Sequence, residues 1–582
     1  MKYLLSITLM LTIVAQSMVS GAAQKPAKSR ALSEEQRILH VLNRLGFGAR
    51  PGDVERVKSI GLENYINQQL NPEKITDTVA ENKVKDLSVL NMTTAELYEK
   101  YPQPGQLLRQ LQARGMLPAD LEEARENRVK GGANSSSAEM PKNESMTAPP
   151  QPANPLQNEK YRKVVEDYYR ENGLQRPQRI LAELQASKIL RAVYSERQLQ
   201  EVMVDFWTNH FNVFANKGAD RWLLPAYDRD TIRPHAMSKF STLLQATAQS
   251  PAMLFYLDNF QSVSPNMTQS ARAPQRQRRG INENYARELM ELHTIGVDGG
   301  YTQKDVQEVA RCFTGWTIFQ PRGGAAAVNA MLGEAGRRNA GTFFFNARAH
   351  DDGEKIVLGQ KIPAGGGIKD GLTVLDILAR HPSTAKFIAT KLVRHFVADD
   401  PPKGLVDRVA ATFTKTDGDI REMLKTIFFS KEFNSTEAYR VKIKRPFELV
   451  VSAIRTLGAD TNGGPGTHQW IARMGEPLYG FQTPNGYSDA AESWVNTGGL
   501  LERMNFGLAL AGNRVQGTKV DLNRFTNGDK SQSKVMDESL KTILAGEISA
   551  TTRETLLKQL DQSDPVTKVV GLILGTPEFQ RQ

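Results

Sequence analysis

Apolar residues recur at helical spacing over most of this chain. Ser33 and Gln36 have the spacing of a capping box, and apolar positions then repeat every three or four residues as far as Leu45. Glycine and proline interrupt the pattern before it resumes near Asp53. The segment 33–71 is therefore predicted to form a helical hairpin.

The same spacing continues through the later part of the chain. Thr302 and Asp305 have the pattern of a helix N-cap. The runs 343–345 and 355–358 have the character of short strands. The segments predicted to be helical are 178–216, 229–247, 281–295, 303–314, 370–380, 384–397, 404–413, 418–428, 444–457 and 491–511. The predicted fold class is mainly α, a large multi-helix body with an N-terminal helical hairpin and few or no short strands.

Composition divides the chain into four parts. Residues 1–23 carry Lys2, an apolar run and Gly21-Ala22-Ala23, which predicts a signal peptide cleaved after Ala23, with an uncleaved anchor as the alternative. Residues 33–127 form a predicted N-terminal helical region, and residues 159–582 form the main α-helical body. Between them, residues 128–158 are rich in glycine, asparagine, serine and proline, which predicts a disordered insertion. The expected localisation is periplasmic or secreted, without an integral membrane span after signal removal.

Charge and cysteine content exclude several classes of protein. The 74 basic and 64 acidic residues give a formal charge of +10, and the densest basic stretch, 272–279, contains no aromatic residue for base stacking. We therefore expect a solvated linker there and no nucleic-acid partner. Cys312 is the only cysteine, which excludes an internal disulfide. The chain also lacks the His-Glu-x-x-His, Gly-x-Ser-x-Gly and P-loop motifs.

His210 is the first candidate for chemistry. On an α-helix it would share an apolar stripe with Phe206 and Trp207, with Asn209 on the flank. A buried histidine needs partners for both ring nitrogens. Two interpretations remain open, a hydrogen-bonded core histidine and a metal ligand or acid–base group.

A second candidate lies on the helix predicted over 281–295. Ordinary α-helical geometry places Tyr285, Leu289 and Leu292 on the buried stripe. It places Asn284, Glu288 and Glu291 on one flank with Arg287 just beyond, and His293 on the opposite flank. Glu288 and Glu291 could join His210 to hold a divalent metal, as in bundle-core metal sites. The alternative is an Arg287–Glu291 surface ion pair.

Two further places carry candidate residues. His350 and Asp351 lie in a polar loop and could relay protons, although Asp-Gly at 352–353 is also an ordinary turn. Trp316 could belong to a sugar-stacking platform or simply to the core. The candidate catalytic residues are therefore His210, Glu288, Glu291, His350 and Asp351, and the candidate binding residues are Asn209, Asn284, Arg287 and Trp316.

Several of these stretches resemble the bacterial family called domain of unknown function 1800. The resemblance rests on Leu42-Asn43-Arg44-Leu45-Gly46-Phe47-Gly48, Phe206-Trp207-Thr208-Asn209-His210-Phe211, residues 282–296, Phe313-Thr314-Gly315-Trp316, His350-Asp351 with Leu358-Gly359, and residues 381–385. It implies an exported bacterial protein without an established activity, often encoded beside a second exported, phosphatase- or sulfatase-like protein. It carries over no catalytic residue.

Two hypotheses for function follow, and the sequence does not decide between them. The first is a periplasmic or cell-surface enzyme, hydrolytic or metal-assisted, with an inward-facing His/Glu site built around His210, Glu288 and Glu291. The second is a non-catalytic binding or assembly partner of another exported protein, such as the phosphatase- or sulfatase-like one.

Overall fold

The computed structural model describes residues 31–113, 115, 159–267, 280–320, 338–526, 531–559 and 565–582. The predicted signal peptide, the predicted insertion at 128–158 and the basic stretch 272–279 lie outside these residues. Among the described residues, no helix combines the length and apolarity needed to cross a membrane.

The fold is mainly α, as predicted. The helices of the N-terminal part are α1 (Glu34–Arg44), α2 (Asp53–Ile60), α3 (Leu62–Gln69), α4 (Thr78–Val84), α5 (Thr94–Lys100) and α6 (Pro104–Ala113). Those of the central part are α7 (Glu159–Glu171), α8 (Gln178–Tyr194), α9 (Gln198–His210), α10 (Asp220–Ala226), α11 (Arg233–His235), α12 (Phe240–Ala248), α13 (Pro251–Tyr256), α14 (Glu283–Glu288) and α15 (Gln303–Cys312).

The helices of the last part are α16 (Ile368–Ala379), α17 (Pro382–Phe396), α18 (Lys403–Lys415), α19 (Ile420–Phe428), α20 (Pro446–Thr456), α21 (Pro465–Arg473), α22 (Thr497–Ala511), α23 (Gln532–Leu544), α24 (Ala550–Gln559), α25 (Pro565–Leu574) and α26 (Pro577–Gln580). Short 3₁₀ turns are Pro72–Lys74, Ser88–Asn91, Asn259–Gln261, Ala347–Ala349, Ala491–Ser493 and Leu522–Phe525. π-Helical turns occupy Tyr227–Ile232 and Leu289–Thr294.

Short strands form antiparallel pairs at the edges of the helical body. Both predicted runs contain a strand. The strands are β1 (Trp316–Ile318), β2 (Phe343–Phe345), β3 (Lys355–Val357), β4 (Gln360–Ile362), β5 (Asp460–Thr461) and β6 (Thr518–Lys519). β1 pairs with β2, β3 with β4 and β5 with β6.

Two predicted helix starts are confirmed by their caps. The Ser33 hydroxyl accepts the Gln36 amide, and the Gln36 side chain accepts the Ser33 amide, which completes a capping box. Thr302 and Asp305 form the same reciprocal arrangement at the start of α15. Each cap satisfies backbone N–H groups that lack a partner in the first turn of a helix.

The predicted helix over 178–216 is in fact two helices. The break falls at Ser195, whose hydroxyl accepts the Arg197 amide at 2.9 Å and donates to Asp77 at 2.8 Å. Local side-chain bonding of this kind competes with the helical hydrogen-bond ladder. As a result α9 runs in its own direction and carries His210 at its last residue.

One apolar core extends through both predicted regions. It includes Ile38 of α1 and Tyr65 of the N-terminal part, and it continues to Phe579 near the C-terminus. Trp207 and Phe240 lie within the same cluster. The N-terminal helices therefore complete the core of the main body, while the limits assigned to the domains stay a prediction.

A network of buried charges crosses this core. Arg445, at the start of α20, is 5 % exposed and forms ion pairs with Asp205 of α9 and with Glu476 at 2.8 Å. Lys188 of α8 also pairs with Asp205, at 2.6 Å. Burial alone would raise the pKa of Asp205, but Lys188 and Arg445 hold it at about 2. The network thus joins α8, α9 and α20 through buried ion pairs.

Replacing Arg445 by methionine should destabilise the protein strongly. The substitution Arg445→Met leaves Asp205 and Glu476 buried with one positive partner fewer, and breaking a buried pair in this way costs about 3–5 kcal/mol. Urea denaturation measures the loss. Arg553→Met, which removes an exposed arginine paired with Asp537, is the control and should change little. Equal stability of the two variants would contradict a supporting role for the network.

Candidate functional site

The π-helical turn after α14 organises the residues of the long central motif. Asn282 caps α14 by accepting the Tyr285 amide at 3.2 Å, and the π-helical turn follows directly at Leu289. The Thr294 hydroxyl donates to the Leu289 carbonyl at 2.7 Å, five residues earlier. A turn closed over five residues is wider than an α-helical turn, so the side chains after Leu289 change their direction.

This change corrects the predicted buried stripe. Leu292 was expected on it, but it is only partly buried, whereas His293 is 2 % exposed. Leu289 and Met290 lie beside His293 in the buried set of the turn. The prediction assumed regular α-helical geometry, which does not hold from residue 289 onward.

His210 and His293 meet on the inner face of the π-helical turn. His210 is 3 % exposed, which confirms its predicted inward direction, and its ring lies 6.1 Å from that of His293. Nε2 of His210 donates to the His293 carbonyl, at 3.1 Å, because a carbonyl oxygen can only accept. Among the described residues, Nδ1 of His210 and Nε2 of His293 have no hydrogen-bond partner.

Both histidines are neutral at ordinary pH. Burial, and after it the charge of the Lys391 ammonium, lowers the pKa of His293 to about 3. The pKa of His210 lies well below its usual value, first because of burial and then because of Lys391. Phe211 and Phe387 pack around the His210 ring at 4.5 and 6.2 Å. These contacts fit the interpretation of His210 as a core histidine.

A third histidine of this region, His395, contacts a carboxylate. Nδ1 of His395 on α17 lies 3.4 Å from the Asp489 carboxylate. Burial tends to raise the pKa of Asp489, but His395 and then Lys391 bring it well below its usual range. The Asp489 carbonyl also accepts from Lys442 at 2.8 Å. Asp489 is therefore a charged anchor that ties its loop to α17.

The outer face of the same turn carries carboxylates that reach solvent. Glu288 and Glu291 are both partly exposed, and the Tyr301 hydroxyl donates to Glu291 at 3.1 Å. The pKa of Glu288 is raised, first by partial burial and then by the negative charge of Glu291. Arg287 lowers it by less. Glu288 is thus an accessible carboxyl group that holds its proton more tightly than usual.

The predicted binding residues near this turn have separate roles. Asn209 donates to the Tyr487 carbonyl at 2.8 Å and accepts the Tyr487 amide at 2.7 Å, so it holds a loop. Asn284 is exposed. Arg287 donates to Gln303 at 2.7 Å, and Glu291 accepts from Tyr301. Each side chain therefore has a hydrogen-bond partner other than its counterpart in the predicted Arg287–Glu291 ion pair.

The described residues do not form the predicted metal site. No group of three or more histidine, cysteine, aspartate or glutamate side chains among them could hold a metal ion. His210 lies on the inner, aromatic face of the turn, whereas Glu288 and Glu291 lie on the outer face. The prediction of His210, Glu288 and Glu291 as a ligand set is corrected by this separation.

His350 and Asp351 belong to a different place. Nδ1 of His350 donates to the Thr314 carbonyl at 2.8 Å, and Nε2 lies 3.2 Å from Asp370. Lys355 also pairs with Asp370, at 2.6 Å, and both side chains are almost fully buried. Asp351 accepts from Arg311 at 2.9 Å. These closed contacts fix the loop against α15 and α16, so the structure places His350 and Asp351 in a supporting network.

Trp316 is fully buried in β1, and its ring lies against Gly371 of α16. A Cβ atom at Gly371 would come within 2.6 Å of the ring, so the helix approaches the indole as closely as glycine allows. Trp316 therefore belongs to the core and presents no face to a ligand in this conformation.

The sequence reading missed two groups of the central region. Asp220 is fully buried, and neither carboxylate oxygen has a partner among the described residues. Its pKa is raised well above the usual value by burial. Lys391 on α17 is the second group that was missed. After burial, its positive charge is the next cause of the lowered pKa of His210 and of His293. Both residues stand in helical patterns that show nothing of their distant neighbours.

Comparison with known proteins identified a single kind of match. A family described as "Protein of unknown function (DUF1800)" matches residues 40–581, nearly the whole chain. The family description assigns no activity. No curated protein and no solved structure matched the sequence.

Acid should weaken the folded state through the inner histidines. The pKa of His293 is about 3 in the folded protein and about 6.5 when unfolded, so its contribution is present above about pH 6.5 and is lost as the pH falls toward 3. Each such histidine adds a slope of about 1.4 kcal/mol per pH unit within that window. In His293→Asn, urea denaturation at a series of pH values should give a shallower slope. A slope equal to that of the unmodified protein would contradict the prediction.

Proposed function

The chain belongs to the DUF1800 family, whose description gives no activity, and we propose that it is an exported hydrolase in which Glu288 acts as the proton donor. One observation carries the proposal. Glu288 is a solvent-accessible carboxyl group whose pKa is raised by partial burial and by Glu291. A general acid must still hold its proton near the working pH, and a raised carboxyl pKa moves Glu288 in that direction.

The neighbouring groups suit the second half of the reaction. Glu291 follows three residues later, its charge contributes to the raised pKa of Glu288, and its carboxylate accepts from the Tyr301 hydroxyl at 3.1 Å. This bond orients one oxygen and leaves the other for a water molecule. In the proposed reaction Glu288 protonates the leaving oxygen of a glycosidic or ester bond, while Glu291 takes a proton from the attacking water.

Other parts of the central region fit this chemistry less well. The inner histidines are sealed among aromatic rings and are neutral. In the described part of the chain, no three histidine, cysteine, aspartate or glutamate side chains come together as metal ligands would. The outer carboxylates combine exposure with a shifted proton affinity, which is the pattern of functional ionisable groups.

Replacing Glu288 by glutamine tests the assignment. Glu288→Gln keeps the shape of the side chain but cannot donate a proton, so hydrolysis of a chromogenic glycoside or ester should fall about 10²–10⁴-fold. Glu283→Gln on the same helix, whose carboxylate accepts from Gln303, is the matched control and should keep most of the rate. Equal rates for Glu288→Gln and the unmodified enzyme would exclude Glu288 as the donor.

A second measurement does not require a known substrate. Carbon NMR of glutamate-labelled protein should show raised side-chain titrations for Glu288 and for Glu476, whose pKa burial raises to about 7, and Glu288→Gln should remove only the first. A Glu288 resonance that titrates with the exposed glutamates would remove the basis of the proposal.

Export rests on the first 23 residues, with Lys2, the apolar run and Gly21-Ala22-Ala23 as its support. Expression of the full chain in a bacterium should deliver a protein that begins at Gln24 to the periplasmic fraction. N-terminal mass spectrometry of that fraction measures the cleavage point. Protein that stays in the cytoplasm and keeps the first 23 residues would contradict export.

A further inference from the structure

A polar cleft separates the N-terminal hairpin from the C-terminal helices. It has a volume of about 600 Å³ and is lined by none of the candidate residues discussed above. Leu39 of α1, Ser452 of α20, Lys541 of α23 and Phe579 of α26 all line it. Its size is within the range of small-molecule sites, which usually combine apolar walls with a few polar groups.

Lys444 lies in the wall of this cleft and is 3 % exposed. Its Nζ donates to the Phe579 carbonyl at 2.9 Å and lies 4.2 Å from the centre of the Phe579 ring. No carboxylate among the described residues forms an ion pair with it. A lysine ammonium has three N–H donors, so this environment leaves it poorly compensated.

Lys355 shows the contrasting arrangement in the same protein. Its Nζ donates to the carbonyls of Asp351 and Gly353 and pairs with Asp370 at 2.6 Å. Three acceptors satisfy the three N–H groups of a charged ammonium. Lys355 is therefore a structural cation. Lys444 lacks a comparable set of acceptors.

The surroundings of Lys444 favour the neutral amine. Burial, and after it the charge of Arg440, lowers the pKa of Lys444 to about 7. More of the molecules then carry a free amine near neutral pH than with an ordinary lysine. A further polar atom lines the cleft without a partner, since the Ser452 hydroxyl has none among the described residues. A ligand in the cleft could bond to it.

We propose that Lys444 is a nucleophilic amine that forms an imine with a small carbonyl compound bound in this cleft. The Nζ lone pair attacks the carbonyl carbon, and the electrons of the C=O double bond move to oxygen. A proton passes from nitrogen to that oxygen, which gives a carbinolamine. Loss of water then forms the C=N bond, so the step needs no oxidant or reductant. Desolvated lysines serve this chemistry because the amine is free to react.

Reductive trapping with glyoxylate and cyanoborohydride tests the proposal on the full chain. Near neutral pH, peptide mass spectrometry should find the adduct at Lys444 at least about tenfold more often than at Lys541, an exposed lysine of the same cleft. The preference should shrink at alkaline pH, where ordinary lysines also lose their proton.

Two variants separate reaction from background labelling. Lys444→Arg keeps the positive charge but cannot form the imine, so the preferred adduct should disappear. Lys541→Arg is the matched control and should leave labelling at Lys444 unchanged. Labelling of Lys444 no faster than Lys541 in the unmodified protein would overturn the proposal, and that comparison does not depend on the folding of either variant.

Discussion

The compensation of Arg445 by acids from separate segments is the interaction on which the central region depends. A guanidinium that has left water needs negative partners, and here they come from Asp205 of α9 and from Glu476 after α21. Glu476 also accepts the Phe447 amide at 2.8 Å, so one carboxylate holds both the charge and the start of α20. Because Asp205 and His210 share α9, the network also fixes the position at which His210 meets the π-helical turn.

That turn separates two environments on one short stretch of chain. His293 faces the aromatic interior and loses its affinity for protons, whereas Glu288 faces the outside and gains affinity. Both shifts begin with burial, yet burial acts in opposite directions because it disfavours the charged form of each group. The wider turn places these groups on opposite sides, and it does so without any change of residue type that would mark it in the sequence.

The sequence therefore predicted the fold better than the site. Apolar spacing and the caps at Ser33 and Thr302 depend on neighbours within a few residues, and both predictions are confirmed. His210 was correctly expected to point inward. The partners of the ionisable groups could not be predicted, since Asp205 and Arg445 are 240 residues apart and such pairing depends on the packing of whole helices. The π-helical turn was missed because helical periodicity assumes a constant angle per residue.

The completeness of a buried group's partners indicates what that group does. Arg445 and Lys355 have carboxylate acceptors for their charge, so they stabilise the arrangement of helices. His210 has a ring nitrogen without a partner, but the surrounding rings close it off from solvent. The charges of Glu288 and Lys444 are incompletely balanced by partners. Glu288 is also partly exposed to solvent, and Lys444 lines a cleft. A shifted proton affinity can act on another molecule only under those two conditions together.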